Sequence, residues 1–276
     1  MTDVSMTRKR VSLAYAGAVE AESCCGSPAP KGVAAKLAGY DEVELRELPA
    51  DAVVNSFGCG NPVAFAAIAE GQVVLDLGSG AGIDLLLAAK KVGPSGRVIG
   101  IDMTDEMIVK ARENVAASGV DNVEIRKGII EELPVSDSSV DWVISNCVIN
   151  LSPEKDKVFA EIARVLKPGG RMSVSDIVAE ELPDWVQADE VLYNSCIGGA
   201  ISEADYTAGL SGAGLADVAV EERLPYDSVQ MEELLISDIA EAPASSCCGS
   251  TTSEPRDIAR AVEGKVWSAR VTARKP

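Results

Sequence analysis

The sequence predicts an α/β fold on a doubly wound, mostly parallel sheet, and three observations carry that prediction. The first is an apolar run, Val73-Val74-Leu75-Asp76-Leu77, with the length and β-branched content of a buried parallel strand. The second is the glycine loop that follows at once, Gly78-Ser79-Gly80-Ala81-Gly82, with a helical stretch from Ile83 to Val92 behind it. Asp84 in the first turn of that stretch and Lys90-Lys91 in its last suit the helix dipole. The third is the return: a turn at Gly93-Pro94-Ser95-Gly96, a strand from Arg97 to Ile101, and Asp102 at its carboxyl end. Strand, glycine turn, helix, strand and acid make a nucleotide-binding β-α-β unit, in which the acid accepts hydrogen bonds from ribose hydroxyls.

The remaining elements follow in order. Residues 4 to 22 read as an amphipathic helix that ends before Ser23-Cys24-Cys25-Gly26-Ser27-Pro28, a loop by composition. An upstream segment, 31 to 70, carries a second loop, Asn55 to Pro62, and a short helix near Val63 to Ala69. Beyond the nucleotide unit come a helix from Asp105 to Ser118 stopped by Gly119, a strand from Asn122 to Lys127, and the exit Gly128-Ile129-Ile130-Glu131. A strand from Val140 to Ser145, a helix from Glu154 to Leu166 stopped by Lys167-Pro168-Gly169-Gly170, and a strand from Met172 to Val178 continue the alternation. Alternating strands and helices imply parallel pairing with right-handed crossovers. Residues 183 to 214 read as helical, Asp217 to Arg223 and Val266 to Thr272 as the last two strands, and Val229 to Ile239 as a helix before a loop from Glu241 to Pro255. The organisation expected is an N-terminal cap over residues 1–70, a nucleotide-binding core over 71–180, and a C-terminal segment over 181–276.

Composition narrows the chemistry. A chain of 276 residues, 47% of them hydrophobic, can bury one sizeable core. The net charge of −18 argues against nucleic acid or an anionic membrane as partner. There is no histidine, which removes Ser-His-Asp and Cys-His catalysis and most zinc enzymes. Seven cysteines, an odd number in a chain too large to need staples, read as cytoplasmic thiol chemistry. No apolar run approaches membrane-spanning length. Lys9-Arg10 before an alanine-rich run broken by Glu20 is a poor match to a signal peptide.

The glycine spacing separates two kinds of nucleotide. The dinucleotide fingerprint G-x-G-x-x-G has Ile83 where its third glycine should be. The loop instead reads G-x-G-x-G after an aspartate, and resembles the first motif of the class I S-adenosylmethionine methyltransferases, a Rossmann-like family. The resemblance implies S-adenosylmethionine as cofactor. Asp76, Gly78, Ser79, Gly80, Asp102 and Met103 are then expected at its amino-acid and ribose ends, Ile130 and Glu131 near its adenine, and Asn146 at the strand-four edge.

Three cysteines fall where ligands bind in such sheets, outside the carboxyl ends of the strands. Cys147 follows strand four, Cys59 precedes strand one, and Cys196 follows strand five in a glycine-rich stretch. Buried cysteines are often mere small hydrophobes. These sit in loops or beside glycines, and three convergent thiols make a soft site. Phe57-Gly58-Cys59-Gly60-Asn61-Pro62, Ile101-Asp102-Met103-Thr104, Ser145-Asn146-Cys147-Val148-Ile149-Asn150-Leu151-Ser152 and Cys196-Ile197-Gly198-Gly199-Ala200 resemble the arsenite methyltransferases in order and spacing. The resemblance covers residues 55 to 215. It implies that Cys59, Cys147 and Cys196 bind As(III), as arsenite or a methylated trivalent arsenic, and are the catalytic residues. It also implies redox work for an upstream cysteine, a place open to Cys24 or Cys25, and an external thiol reductant of thioredoxin or glutathione type.

Ser-Cys-Cys-Gly-Ser occurs twice, at 23 to 27 and at 246 to 250. Adjacent Cα atoms are about 3.8 Å apart, inside the roughly 4.4 Å lower end for disulfides, so a bridge within Cys24-Cys25 or Cys247-Cys248 is disfavoured. Either pair suits a redox or relay role for a soft metalloid; for Cys247-Cys248 a feature without a role is an equal reading, and for Cys24-Cys25 the functional one is favoured. Two other classes stay in view: a small-molecule methyltransferase of the same fold, acting on a quinone for instance, and a metalloid-binding protein without turnover. The first leaves the three thiols unexplained, the second the glycine loop and Asp102.

Overall fold

The computed structural model describes residues 4–20, 39–232, 235 and 255–276. The Cys24-Cys25 and Cys247-Cys248 loops, and the expected helix beyond residue 232 apart from Leu235, lie outside the described residues. Seven strands form one sheet: β1 Val73–Leu77, β2 Arg97–Asp102, β3 Val123–Lys127, β4 Val140–Asn146, β5 Leu166–Ala179, β6 Ala216–Pro225 and β7 Val266–Arg274, in the order β3-β2-β1-β4-β5-β7-β6. The pairs from β3 to β5 are parallel, and β7 lies antiparallel between β5 and β6.

Successive strand residues alternate between two cores, as a period of two requires. Leu75, Leu77, Ile99, Ile101, Val143 and Val174 pack on one face, against Phe159 and Ile162 of a helix at Lys155–Val165 and Tyr206 and Leu210 of a helix at Glu203–Gly212. Val74, Val98, Trp142 and Ile144 pack on the other, against Leu85, Leu86 and Ala89 of a helix at Ile83–Val92. A third apolar cluster caps the carboxyl edge and includes Val11, Cys147, Ile177, Leu192, Cys196 and Ile258.

The helices in chain order are α1 Val4–Glu20, α2 Glu42–Arg46, α3 Ala50–Val54, α4 Pro62–Phe65, α5 Ile83–Val92, α6 Asp105–Ser118, α7 Lys155–Val165, α8 Asp184–Ala188, α9 Glu190–Asn194, α10 Glu203–Gly212 and α11 Pro255–Val262; residues 228–232 are also helical. Several expectations change. The helix near Val63 stops at Phe65 rather than Ala69. Lys167 to Gly170, expected as a helix stop, belongs to β5, because Gly169 N–H donates to Lys275 O at 2.9 Å and Lys275 N–H to Gly170 O at 2.8 Å. The helical stretch 183 to 214 is three short helices. Asp189 caps α9 by accepting from Val191 N and Leu192 N, and the chain then leaves helical geometry at residues 195–202. Helix α11 is an element the sequence reading did not place. Among the described residues no helix is long and apolar enough to cross a membrane.

Candidate active site

A cleft opens at the carboxyl ends of β1, β2 and β4, where open α/β sheets bind ligands. Of the residues expected at a cofactor, Gly78, Gly80, Asp102, Met103, Ile130, Glu131 and Asn146 line it, together with Cys147. Asp76 and Ser79 do not. They lie buried outside the lining, each with one side-chain oxygen lacking a hydrogen-bond partner, Asp76 Oδ2 and Ser79 Oγ.

Asp102 is built into the loop it serves. Its Oδ2 accepts from Gly80 N and its Oδ1 from Thr104 N, both at 2.9 Å. Burial raises its pKa, and these backbone donors oppose the rise. A carboxylate oxygen has room for a second donor, so ribose hydroxyls remain acceptable partners. Burial, with Asp84 and Asp102 nearby, pushes Asp76 well above the usual carboxylate range. Asp84 is pushed up to about 6 by burial, against the donors Asn146 and Tyr40. Of these three acids only Asp102 lines the cleft. A Cβ at Gly80 would meet nothing within 4 Å, which leaves that side of the loop open. The apolar Ile101, Met103 and Ile130 line the same cleft and suit a flat base. The residues present therefore fit a cofactor with a ribose and an adenine.

Asn146 anchors the Cys59 loop to the end of β4. Its Nδ2 donates to Gly60 O at 2.6 Å and to the Tyr40 hydroxyl at 2.8 Å, while its Oδ1 accepts from Gly60 N at 3.1 Å. The loop is held on its other side by Tyr226, whose hydroxyl donates to Cys59 O at 3.4 Å. Gly60 is required there, because a Cβ would lie 2.5 Å from Ser175 Cβ.

The structure brings Cys59, Cys147 and Cys196 together. Cys59 and Cys147 form a disulfide with Cα atoms 5.8 Å apart, and Cys196 Sγ donates to Cys147 O at 2.6 Å. With two of the three thiols joined, no group of three or more His, Cys, Asp or Glu is arranged to hold a metal among the described residues. Cys147 and Cys196 both have positive φ, 58° and 63°, a conformation uncommon for non-glycine residues and concentrated at functional sites. The Cys196 turn is seated on Asn150: a Cβ at Gly199 would lie 2.2 Å from Asn150 O. Asn150 Nδ2 in turn donates to Asp176 Oδ1 at 2.8 Å and to Ile177 O at 2.6 Å. Lys155 Nζ donates to Asn150 O and Ser152 O, and its burial lowers its pKa against the fields of Asp176, Cys196 and Glu131.

Sequence reasoning missed several contributors. Arg8, Val11 and Tyr15 of α1 line the cleft, as do Phe57, Val148 and Ser152. Tyr40 and Asp84 hold Asn146 from below. The step of three and four between the α1 residues was readable as one helical face, but nothing local says what that face meets.

Comparison with known proteins gives consistent findings. A family described as a methyltransferase domain matches residues 68–223. The arsenite methyltransferase of Halobacterium salinarum is 47% identical over 233 residues, covering 79% of this chain and 59% of that protein. That of Aquipseudomonas alcaligenes is 42% identical over 189 residues, covering 64% and 54%. This chain thus spans little more than half the length of those curated relatives. The crystal structure of an arsenic (III) S-adenosylmethionine methyltransferase from Chlamydomonas reinhardtii matches with a TM-score of 0.62 at 34% identity, covering 90% of this chain and 74% of that one.

Proposed function

We propose, since the chain belongs to the arsenite S-adenosylmethionine methyltransferase family, that it transfers methyl groups from S-adenosylmethionine to thiolate-bound trivalent arsenic, in arsenic detoxification. The observation that carries this reading is the convergence of Cys59, Cys147 and Cys196 on a cleft that Cys147 itself lines.

The glycine loop at Gly78 and Gly80, with Asp102 and Met103, would hold the cofactor's ribose side, and Ile130 and Glu131 its adenine; Asp76 and Ser79 lie buried behind that lining. When bound, the cofactor supplies a sulfonium methyl that the arsenic lone pair takes up as the S–C bond pair stays on sulfur, leaving arsenic formally as As(V). The chain's own residues do the rest. As(III) displaces the protons of soft thiols, so no histidine base is needed. The apolar cluster around Cys147 and Cys196 excludes water from the reacting centre. Two electrons must then return arsenic to As(III). Joining the Cys59 and Cys147 thiolates as a disulfide would break their two As–S bonds and return two electrons to arsenic, leaving the methylated As(III) on Cys196, and the disulfide is the form present in this structure. Two equivalents of a glutathione-type thiol, or one thioredoxin-type dithiol, reopen the pair by exchange. Such a cycle suits a reducing cytoplasm.

The deciding experiment is incubation with arsenite, S-adenosylmethionine and a thiol reductant, followed by arsenic speciation. Methylated arsenic is the expected product. Cofactor binding without any methylated arsenic would overturn the reading and return the choice to another acceptor.

A further inference from the structure

Helix α1 is joined to the cleft by a charged fastening that the reaction scheme above does not use. Arg8, Val11 and Tyr15 recur at steps of three and four, so they share one face, and all three line the cleft. Arg8 reaches two carboxylates far away in sequence. Its Nε donates to Glu131 Oε1 at 3.2 Å and its Nη2 to Glu154 Oε2 at 2.6 Å.

The two ends of this bridge differ in environment. Glu154 is partly open and also pairs with Lys157 at 2.6 Å. The Glu131 side chain is 5% exposed and lines the cleft. Ser152 Oγ donates at 2.6 Å to the same Oε1 that Arg8 engages. Both contacts therefore fall on one oxygen, which keeps Oε2 available as an acceptor for a ligand. Removing a cation from a buried carboxylate is costly, whereas breaking an exposed pair costs little. Elsewhere α1 is held by the buried Val11 in the third apolar cluster, by an edge-on contact of Tyr15 with Phe57 and by further polar contacts. Thr104 Oγ1 donates to Ser12 Oγ at 3.3 Å, Tyr15 donates to Asn194 O at 3.1 Å, and Arg10 pairs with the exposed Glu190. The remaining walls are strand ends and the loops that follow them, Met107 of α6, which packs on β2 and β3, and Phe57-Gly58 of the loop tied to Asn146, so α1 is the helical wall that lies outside the strand-helix-strand connections.

We propose that Arg8 is a positioning residue for the cofactor: by bridging Glu131 and Glu154 it orients the adenine-side carboxylate and holds α1 across the cleft as the wall that opens during cofactor exchange. This rests on the S-adenosylmethionine part of the proposed function and not on the arsenic part.

The test uses the full chain and S-adenosylhomocysteine with no arsenic present. Dissociation of the ligand is followed by stopped-flow displacement for wild type, Arg8→Ala, Arg8→Lys and Glu154→Gln. The expected result for Arg8→Ala is a rise of about tenfold in the dissociation rate, with the association rate little changed. Arg8→Lys keeps the charge but not the fork, and should recover part of the loss. Glu154→Gln breaks only the outer arm and leaves Glu131 paired, so it should give a smaller rise. Amide hydrogen exchange of the ligand-free chain should quicken across residues 4–20 in Arg8→Ala and stay unchanged in β1 and β2, which a general loss of stability would not produce. A wild-type dissociation rate in Arg8→Ala overturns the proposal while leaving cofactor binding intact. Failure of the wild type to bind S-adenosylhomocysteine overturns the cofactor reading itself.

Discussion

The thiol of Cys196 donates to the backbone carbonyl of Cys147 at 2.6 Å, across a separation of 49 residues. The third sulfur is thereby held beside the disulfide partner of Cys59 by a bond to the main chain rather than to the sulfur. Serine at Cys196 can keep that bond but presents a hard, protonated oxygen where a soft thiolate is required. Each of Cys59→Ser, Cys147→Ser and Cys196→Ser should abolish methylation of inorganic arsenite and leave S-adenosylhomocysteine affinity unchanged by calorimetry. Near-normal turnover in Cys196→Ser would replace the three-thiol site with two protein thiols and an exogenous one.

Asp102 both braces the glycine loop and faces the cleft. Charge-assisted hydrogen bonds contribute about 1.5–3 kcal/mol each, so Asp102→Ala should weaken S-adenosylmethionine binding at least about tenfold. Asp102→Asn, which keeps one acceptor oxygen, should fall between. Arsenite binding, read by the loss of titratable thiols in the reduced protein, should persist in both. Unchanged cofactor affinity in Asp102→Ala would take the residue out of the site.

The Cys196 turn can be displaced without touching a sulfur. In Gly199→Ala the new methyl meets Asn150 O at 2.2 Å, and that carbonyl is backbone held by Lys155. The turn must shift. The expected result is a several-fold rise in KM for arsenite with little change in cofactor affinity. Equal loss of both would mean that the substitution acts through general stability.

Buried acids set a pH dependence opposite to the usual one. Burial pushes Asp176 from 3.8 up to about 7, against Lys155 and the donors Ile177 N, Tyr206 and Asn150. Between these values the folded chain keeps a proton that the unfolded chain has released. The stability this provides is fully present below about 3.8 and is lost as pH rises through about 7. Asp84, raised to about 6, acts with the same sign. Thermal unfolding midpoints should therefore be higher at pH 5 than at pH 7.5, and Asp176→Asn should flatten the slope. A midpoint that climbs steadily over that range would contradict the assignment.

The parallel half of the fold was legible because its signals are local. Val73 to Leu77, Ile83 to Val92 and Asp105 to Ser118 end at glycines or acids that punctuate the chain, and the structure keeps those bounds. The edge position of Cys147 was readable for the same reason, since it follows β4 directly, whereas Cys59, separated from β1 by α4, reaches that edge through its loop's hydrogen bonds to Asn146. What escaped was pairing at a distance. Arg8 meets Glu131 across 123 residues, and neither residue carries a local mark of the other. The disulfide closes 88 residues and converts two expected free ligands into a bonded pair. Cys196 sits in a break between helices because the turn docks on Asn150, a tertiary demand that outweighs helical propensity. Helix α11 did carry a signal, Pro255 at its first position with Ile258, Ala259 and Val262 buried on one face, but it adjoined a stretch of loop-like composition.

Strand β7 has a consequence for the order in which the chain is made. Its nine residues pair with β5 on one side and β6 on the other. On the ribosome, β1 to β5 and their helices emerge first, and β5 then presents a bare edge holding Val174, Ile177 and Val178. β6 follows but cannot lie against β5, because its place is one strand further out. The sheet waits, with that edge open to other nascent chains, until residues 266–274 are translated and slide between them. The segment that seals the sheet is thus far from the cleft in sequence and outside its lining.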